Sequence, residues 1–362
     1  MSLAPIMIMA GGTGGHVFPG LAVAEILRDR DLEVVWLGTQ RGLEAKLVPA
    51  RGIDIEWISI SGVRGKGPLA WLAAPFRIAW SVIQALAVVI RRKPGAVLGL
   101  GGFVAGPGGI AAWLTRRPLI LHEQNAVAGT TNRLLSRFAT RVFEAFPGSF
   151  PVHVAAETIG NPVRDEILAV GRERTYTTRP AGEPQRLLVL GGSQGSLALN
   201  RALPAALAAL PEDLRPIVRH QAGRTLPEAE TAYGAAGVDA RCLAFIDDVA
   251  EAYAWADFVV ARAGALTVSE LAAAGVGAIL VPYPYAIDDH QMKNASVFCE
   301  AGACVVLAEA ELEQGQLRQE LERLLTDRAL VAEMGQRCHQ LMHKDAAVKL
   351  ADTCTELAGG RR

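Results

Sequence analysis

A histidine inside a glycine loop is the first residue of this chain equipped to move a proton. The loop reads Gly11-Gly12-Thr13-Gly14-Gly15-His16. An imidazole titrates near neutrality, which suits general-base work. The glycines let backbone N–H groups approach an anion closely, although such a loop also serves simply to pack a strand on a helix. A second polar group, His122-Glu123-Gln124-Asn125, follows the apolar Leu119–Leu121. It falls where open α/β sheets place ligands, and Glu123 is a second candidate base. A third is Gly264-Ala265-Leu266-Thr267-Val268-Ser269-Glu270. There the N–H groups and dipole of a helix start suit a diphosphate without any lysine. Glu270 is placed either to accept the two hydroxyls of a ribose or to act as an ordinary N-terminal helix acid. Ser193, in Gly191-Gly192-Ser193-Gln194-Gly195-Ser196, is a further phosphate donor or a helix N-cap.

Other chemistries are excluded. No Gly-Lys-Ser/Thr follows any glycine loop, so there is no P-loop, and position 16 spoils a dinucleotide fingerprint. No Asp-x-Asp pair is present at the third group. Asp288-Asp289-His290 is a poor metal site, because adjacent carboxylates point in different directions. No metal or cofactor is expected. Five scattered cysteines without Cys-x-x-Cys spacing read as free thiols of a reducing compartment. The N-terminus lacks the basic region of a secretory signal.

These residues need a scaffold that turns repeatedly from strand to helix. Ile6–Ala10 is an apolar run of strand length that stops at glycine, and a helical pattern follows from Leu21. Further strands are expected at 33–38, 54–60, 96–100, 119–121, 141–146 and 153–159, with a helical stretch at 43–50. Such alternation predicts a parallel sheet covered by helices. Gly101–Gly109 repeats the strand–glycine–helix grammar, and Gly160-Asn161-Pro162-Val163-Arg164 reads as a connector. At Arg186 the pattern restarts, and Gly191-Gly192-Ser193 echoes the first loop at an offset of 180 residues. Strands follow at 217–220, 241–245, 258–261 and 277–282. The tail is helical from Leu312, with breaks near Asp327 and within 335–343. Two Rossmann-like units in tandem result: 1–162, and 163–339, with a last helix at about 340–362 packing back on the first.

Charge separates the halves. Residues 1–160 hold 16 Lys+Arg against 10 Asp+Glu, whereas 161–362 hold 20 against 27. From Trp57 to His122 there is no acidic residue, while Arg64, Lys66, Arg77, Arg91, Arg92, Lys93, Arg116 and Arg117 fall in that interval. Within it, 69–90 is almost wholly apolar. Arg77 and Pro75 interrupt it, and the longest uncharged run after Arg77 has 13 residues, against the ~20 that a span requires. The reading is therefore not a span. It is a face (Trp71, Leu72, Phe76, Trp80) that meets an anionic membrane surface, or else a core helix with a solvated basic rim. Nucleic acid is not expected as a partner, because the aromatic residues are not interleaved with the cations.

Six motifs in order now carry a resemblance: Gly11–Pro19, Gly101–Gly109, His122–Asn125, Gly160–Arg164, Gly191–Gly195 and Gly264–Glu270. Together they resemble the MurG family, the peptidoglycan glycosyltransferases that convert lipid I to lipid II. The resemblance covers nearly the whole chain. It implies an α/β, GT-B fold: two Rossmann-like parallel-sheet domains facing across a cleft. It implies inverting transfer of N-acetylglucosamine from UDP-GlcNAc to the 4-hydroxyl of MurNAc-pentapeptide on undecaprenyl diphosphate. By the same match Ile246 gives backbone contacts to uracil, Arg164 lies beside the nucleotide and Glu270 takes the ribose. Ser193, Leu266 and Thr267 take the diphosphate, within a segment that includes Val268 and Ser269. Ala265, Asn125 and Gln291 contact the sugar, and Asp289-His290-Gln291 departs from the paired glutamines of some relatives.

On the acceptor side, Gly12, Gly14, Gly102 and Gly106 are expected to cradle the lipid diphosphate, with Thr13, Gly14 and Gly15 where the substrates meet. His16 and Glu123 compete for the base; His16 alternatively hydrogen-bonds one of the diphosphates. The family further implies a peripheral enzyme on the cytoplasmic face of the bacterial inner membrane, with cell-wall elongation and division proteins as partners. Two other readings are a UDP-N-acetylglucosamine 2-epimerase, which shares the GT-B fold, and a sugar-nucleotide-binding subunit serving another chain.

Overall fold

The structure, a computed structural model, describes residues 4–60, 68–180 and 182–360, with side chains described for all of these except 68–72 and 287. The chain forms two compact units, Met1–Arg164 with Asp345–Arg362, and Asp165–Lys344.

The first unit begins with β1 (Ile6–Met9), whose four side chains are all buried. A strand buried on both faces must be a continuous apolar run, and Ile-Met-Ile-Met is one. Then come α1 (Gly14–Asp29), β2 (Val34–Gly38), α2 (Glu44–Leu47), β3 (Asp54–Trp57), α3 (Pro68–Arg92), β4 (Ala96–Gly99), α4 (Ala105–Leu114), β5 (Leu119–Glu123), α5 (Thr130–Leu135), β6 (Arg141–Glu144) and β7 (Glu157–Thr158). The sheet is parallel throughout, in the order β3-β2-β1-β4-β5-β6-β7. Ile6 is in register with both Val34 and Ala96. The order reverses at β1 and β4, and ligands of open α/β sheets bind beyond such strand ends. The buried Trp36 closes that end of the core, its indole N–H donating to Ala10 O at 2.8 Å.

In the second unit follow α6 (Asp165–Glu173), β8 (Arg186–Leu190), α7 (Leu197–Ala208), β9 (Ile217–Gln221), α8 (Leu226–Ala236), β10 (Ala240–Leu243), α9 (Val249–Trp255), β11 (Phe258–Ala261), α10 (Ala265–Ala274), β12 (Gly277–Leu280), α11 (His290–Glu300), β13 (Cys304–Val306), α12 (Gln316–Thr326) and α13 (Arg328–Gln340). Its sheet, in the order β10-β9-β8-β11-β12-β13, is also parallel and reverses at β8 and β11. The last helix, α14 (Ala346–Gly359), belongs to the first unit. It buries Leu350, Ala351 and Cys354 in that core and is tied at its surface by Arg30–Asp352 (2.7 Å) and Lys349–Glu157 (3.0 Å).

Two expected elements differ. The strand expected over 153–159 is a 3-10 turn at Val152–Val154 and a two-residue strand, because Ala155 takes a left-handed φ of 51°. The helical stretch 43–50 divides into the short α2 and a 3-10 turn, Pro49–Arg51. The tail breaks where expected, at Asp327, which caps α13 through its side chain, and after Gln340, with Gly335 buried inside α13. All five cysteines are free thiols.

By length and composition Ala73–Arg92, with mean hydropathy 1.7, is apolar enough to cross a bilayer. Its inner face is committed elsewhere: Ala85, Val88 and Val89 pack in the core with Met7, Val97 and Leu121. The outer face leaves Phe76, Ile78, Trp80, Ile83 and Ile90 exposed. Trp71 and Leu72 lie outside the residues whose side chains are described.

Candidate active site

The first half-site stands at the β1/β4 switch point. Thr13 is the N-cap of α1, and Gly14, Gly15 and His16 form its first turn; the His16 N–H donates to Thr13 O at 3.2 Å, while those of Gly14 and Gly15 precede the first intrahelical bonds. Gly12 and Thr13 are exposed and His16 is half-buried. The loop is held from beneath by Glu44, which is fully buried. One of its oxygens accepts from Gly12 N (2.9 Å), and the other from the backbone N and hydroxyl of Thr39 (3.0 and 2.8 Å). Nothing in the sequence around Glu44 marks this role, since it stands inside an ordinary helical pattern.

The second glycine loop packs on the first. Gly102 has φ 77°, and a Cβ there would lie 2.4 Å from Gly11 O. Gly101 has φ 92°, and its Cβ would lie 2.9 Å from His16 Cε1 and 3.0 Å from Nδ1. The missing side chain is what lets the imidazole lie against this loop. Gly106 sits further on, within the first turn of α4.

The polar group after β5 divides into two jobs. Glu123 is buried, and its carboxylate accepts from Asn125 N (3.1 Å), Asn125 Nδ2 (3.2 Å), Gly129 N (3.1 Å) and Asn132 Nδ2 (2.9 Å). These four donors come from residues 125–132, so the Glu123 carboxylate ties that loop down. Asn125, half-buried, is held by that carboxylate. Gln124 faces the other way, with its Oε1 3.1 Å from His16 Nδ1. His122 is fully buried and its Nε2 meets Gly160 O at 2.8 Å. Burial pushes its pKa down to about 4, which keeps the ring neutral. Arg164 belongs to the first unit, its guanidinium 4.8 Å over the ring of Phe18 on α1.

The second half-site stands at the β8/β11 switch point. Gly264 is the N-cap of α10, and Ala265, Leu266 and Thr267 form its first turn. Val268 is fully buried and its N–H donates to Gly264 O (3.0 Å), and the Ser269 hydroxyl donates to Ala265 O (2.8 Å). Glu270 is buried one turn in, where the hydroxyl of the buried Tyr253 donates to its Oε2 at 3.2 Å. Ser193 is exposed at the tip of its loop, and Ser196, not Ser193, caps α7. Ile246 is buried. Gln291 is half-buried at the start of α11 and its Oε1 accepts from Tyr283 N (2.9 Å). Among the described residues no group of three or more His, Cys, Asp or Glu side chains is arranged to hold a metal.

The arrangement places an imidazole beside two glycine loops at one switch point, and a helix start whose N–H groups and dipole suit an anion, with a buried carboxylate, at the other. The family description "Glycosyltransferase family 28 N-terminal domain" matches residues 6–144, and "Glycosyltransferase family 28 C-terminal domain" matches 186–350. The chain is 56% identical over 356 residues (98% of this chain, 99% of the relative) to a UDP-N-acetylglucosamine–N-acetylmuramyl-(pentapeptide) pyrophosphoryl-undecaprenol N-acetylglucosamine transferase of Nitrosococcus oceani. It is 56% identical over 357 residues (98% and 99%) to the transferase of the same name from Alkalilimnicola ehrlichii. The crystal structure of Acinetobacter baumannii MurG is similar at a TM-score of 0.79 and 39% identity, covering 97% of this chain and 99% of that one.

Proposed function

The chain belongs to glycosyltransferase family 28, and on that premise we propose a division of labour between its two half-sites. The protein is a UDP-GlcNAc-dependent hexosyltransferase of the GT-B class. It moves N-acetylglucosamine from UDP-GlcNAc to MurNAc-pentapeptide on undecaprenyl diphosphate, converting lipid I to lipid II in peptidoglycan synthesis.

The second unit binds the nucleotide. The α10 start and Ser193 take the diphosphate, Glu270 the ribose and the Ile246 backbone the uracil, with Ala265 and Gln291 toward the sugar. As the glycosidic C–O bond breaks, its electron pair leaves on the UDP β-phosphate, where N–H groups and the helix dipole stabilise the charge. The first unit binds the acceptor. Gly12, Gly14, Gly102 and Gly106 cradle its diphosphate, Thr13, Gly15 and Asn125 flank the sugars, and His16 takes the proton of the attacking 4-hydroxyl. The observation that carries this reading is His16 itself, in the first turn of α1 with its Nδ1 held by Gln124.

The enzyme works peripherally at the cytoplasmic face of the inner membrane. Support comes from the exposed Phe76 and Trp80 on α3, and from the exposed Trp113 and Phe138, whose rings meet at a tilt with centroids 4.8 Å apart, near Arg116 and Arg117 in sequence. An apolar face set among cations suits an anionic leaflet, where a polyprenyl acceptor emerges. The test is purified protein with UDP-GlcNAc and a short-chain lipid I analogue. Disaccharide product with release of UDP is expected; 2-epimerised sugar without disaccharide would overturn the reading.

A further inference from the structure

We infer that Gln124 and His122 are positioning residues that select the tautomer of His16, leaving its Nε2 bare toward the acceptor. The inference rests on the reading of His16 as the base and extends it to three residues behind it.

A backbone carbonyl starts the chain of reasoning. Gly160 O can only accept, so His122 Nε2, 2.8 Å away, carries a hydrogen. The ring is neutral in its buried site, so its Nδ1 is bare and can only accept. Gln124 Nε2 lies 3.2 Å from that Nδ1 and 3.3 Å from His122 O. Both neighbours are acceptors, and they independently require the amide nitrogen on that side. The amide oxygen must then face His16, and it does, 3.1 Å from Nδ1. An amide oxygen cannot donate, so His16 Nδ1 carries the hydrogen and Nε2 keeps its lone pair.

The reverse arrangement fails at each link. Turning the amide sets its oxygen against His122 O. Relieving the ring contact would then require a hydrogen on His122 Nδ1 and a bare Nε2 against Gly160 O. The network is buried from Gly160 to Gln124, so no solvent compensates a wrong pairing. The Gln124 backbone is fixed as well, its carbonyl accepting from Asn161 Nδ2 at 3.0 Å. Thus the connector Gly160-Asn161 anchors the proton geometry of the first loop.

During transfer the 4-hydroxyl proton goes to Nε2 as the new C–O bond forms and the old one releases UDP. The resulting imidazolium still donates Nδ1–H to Gln124, and the Nε2 proton passes afterwards to solvent. Gln124 orients without adding a charge.

The test is nitrogen NMR of histidine-labelled full-length protein, with His16 assigned by its loss in His16→Gln, run beside steady-state kinetics. In wild type at a pH where His16 is neutral, Nδ1 protonated and Nε2 bare is expected; a protonated Nε2 would overturn the inference. His122→Gln keeps a donor to Gly160 O and removes the acceptor for Gln124. It is expected to erode the tautomer preference and lower kcat by about tenfold or more, with KM for UDP-GlcNAc unchanged. His122→Asn, which returns an acceptor oxygen near the Nδ1 position, is expected to recover much of both. Gln124→Met removes the amide with similar volume and is expected to behave like His122→Gln. A fall in kcat with the wild-type tautomer intact would overturn the inference. Wild-type turnover in His16→Gln would instead remove the base reading, whatever tautomer the spectra show.

Discussion

The loop after β1 and the loop after β11 leave parallel strands at equivalent switch points and enter helices in the same way, yet they present different things. At the second, the useful surface is mostly backbone: the start of α10, with Val268 and Ser269 turned to internal bonds and one buried carboxylate, Glu270. At the first, a side-chain network runs from Gly160 through His122 and Gln124 to His16. A leaving diphosphate needs fixed donors and a dipole, which a helix end supplies regardless of side chain. An attacking hydroxyl needs one base in one protonation state, which only a side chain can provide.

That contrast breaks first at its strongest point. His16→Ala is expected to lower kcat by roughly 10²–10⁴-fold in the lipid I analogue assay, the usual worth of a general base. A smaller loss would move the proton elsewhere. Gly101→Ala should reproduce much of that effect without touching His16. Its methyl would occupy the space of the imidazole at a φ of 92°. A fall of about tenfold or more in kcat with normal UDP affinity is expected.

Stability sharpens the comparison next, because each unit also buries one neutral histidine. His122 in the first unit and His220 in the second, the latter against the Tyr233 hydroxyl at 3.2 Å, are both pushed down to about 4 by burial. Their folded pKa values lie below the unfolded value of about 6.5, so the unfolded chain binds protons that the folded chain refuses. The stability they contribute is complete above about pH 6.5 and is lost toward pH 4, at up to about 1.4 kcal/mol per pH unit for each. Urea denaturation at pH 7 and pH 5, followed by a probe in each unit, should show both units weakening. A similar but local effect is expected for Glu44→Gln, which cannot satisfy all three donors. Loss of about 1–3 kcal/mol from the first unit, read as a lowered thermal midpoint, is expected while the second unit is unchanged.

Much of this was legible in the sequence, for reasons that differ by residue. Ile6–Met9 and Phe258–Ala261 read as strands because burial on both faces demands unbroken apolar runs. Glycine loops mark switch points because their backbone geometry excludes side chains. The four partners of Glu123 were not legible, because a carboxylate at a strand end looks the same whether it meets substrate or four donors from its own loop. Glu44 was invisible: its partners Gly12 and Thr39 come together only through the fold. The same holds for Tyr253 beneath Glu270, and for Ser196 taking the cap that would otherwise suit Ser193.

The division between the two loops is tested most directly by calorimetric titration of UDP into two variants, His16→Ala and Glu270→Ala. The account expects His16→Ala to bind UDP as wild type does, and Glu270→Ala to bind about tenfold or more weakly through loss of charge-assisted hydrogen bonds. Loss of UDP affinity in His16→Ala, with wild-type affinity in Glu270→Ala, would contradict it.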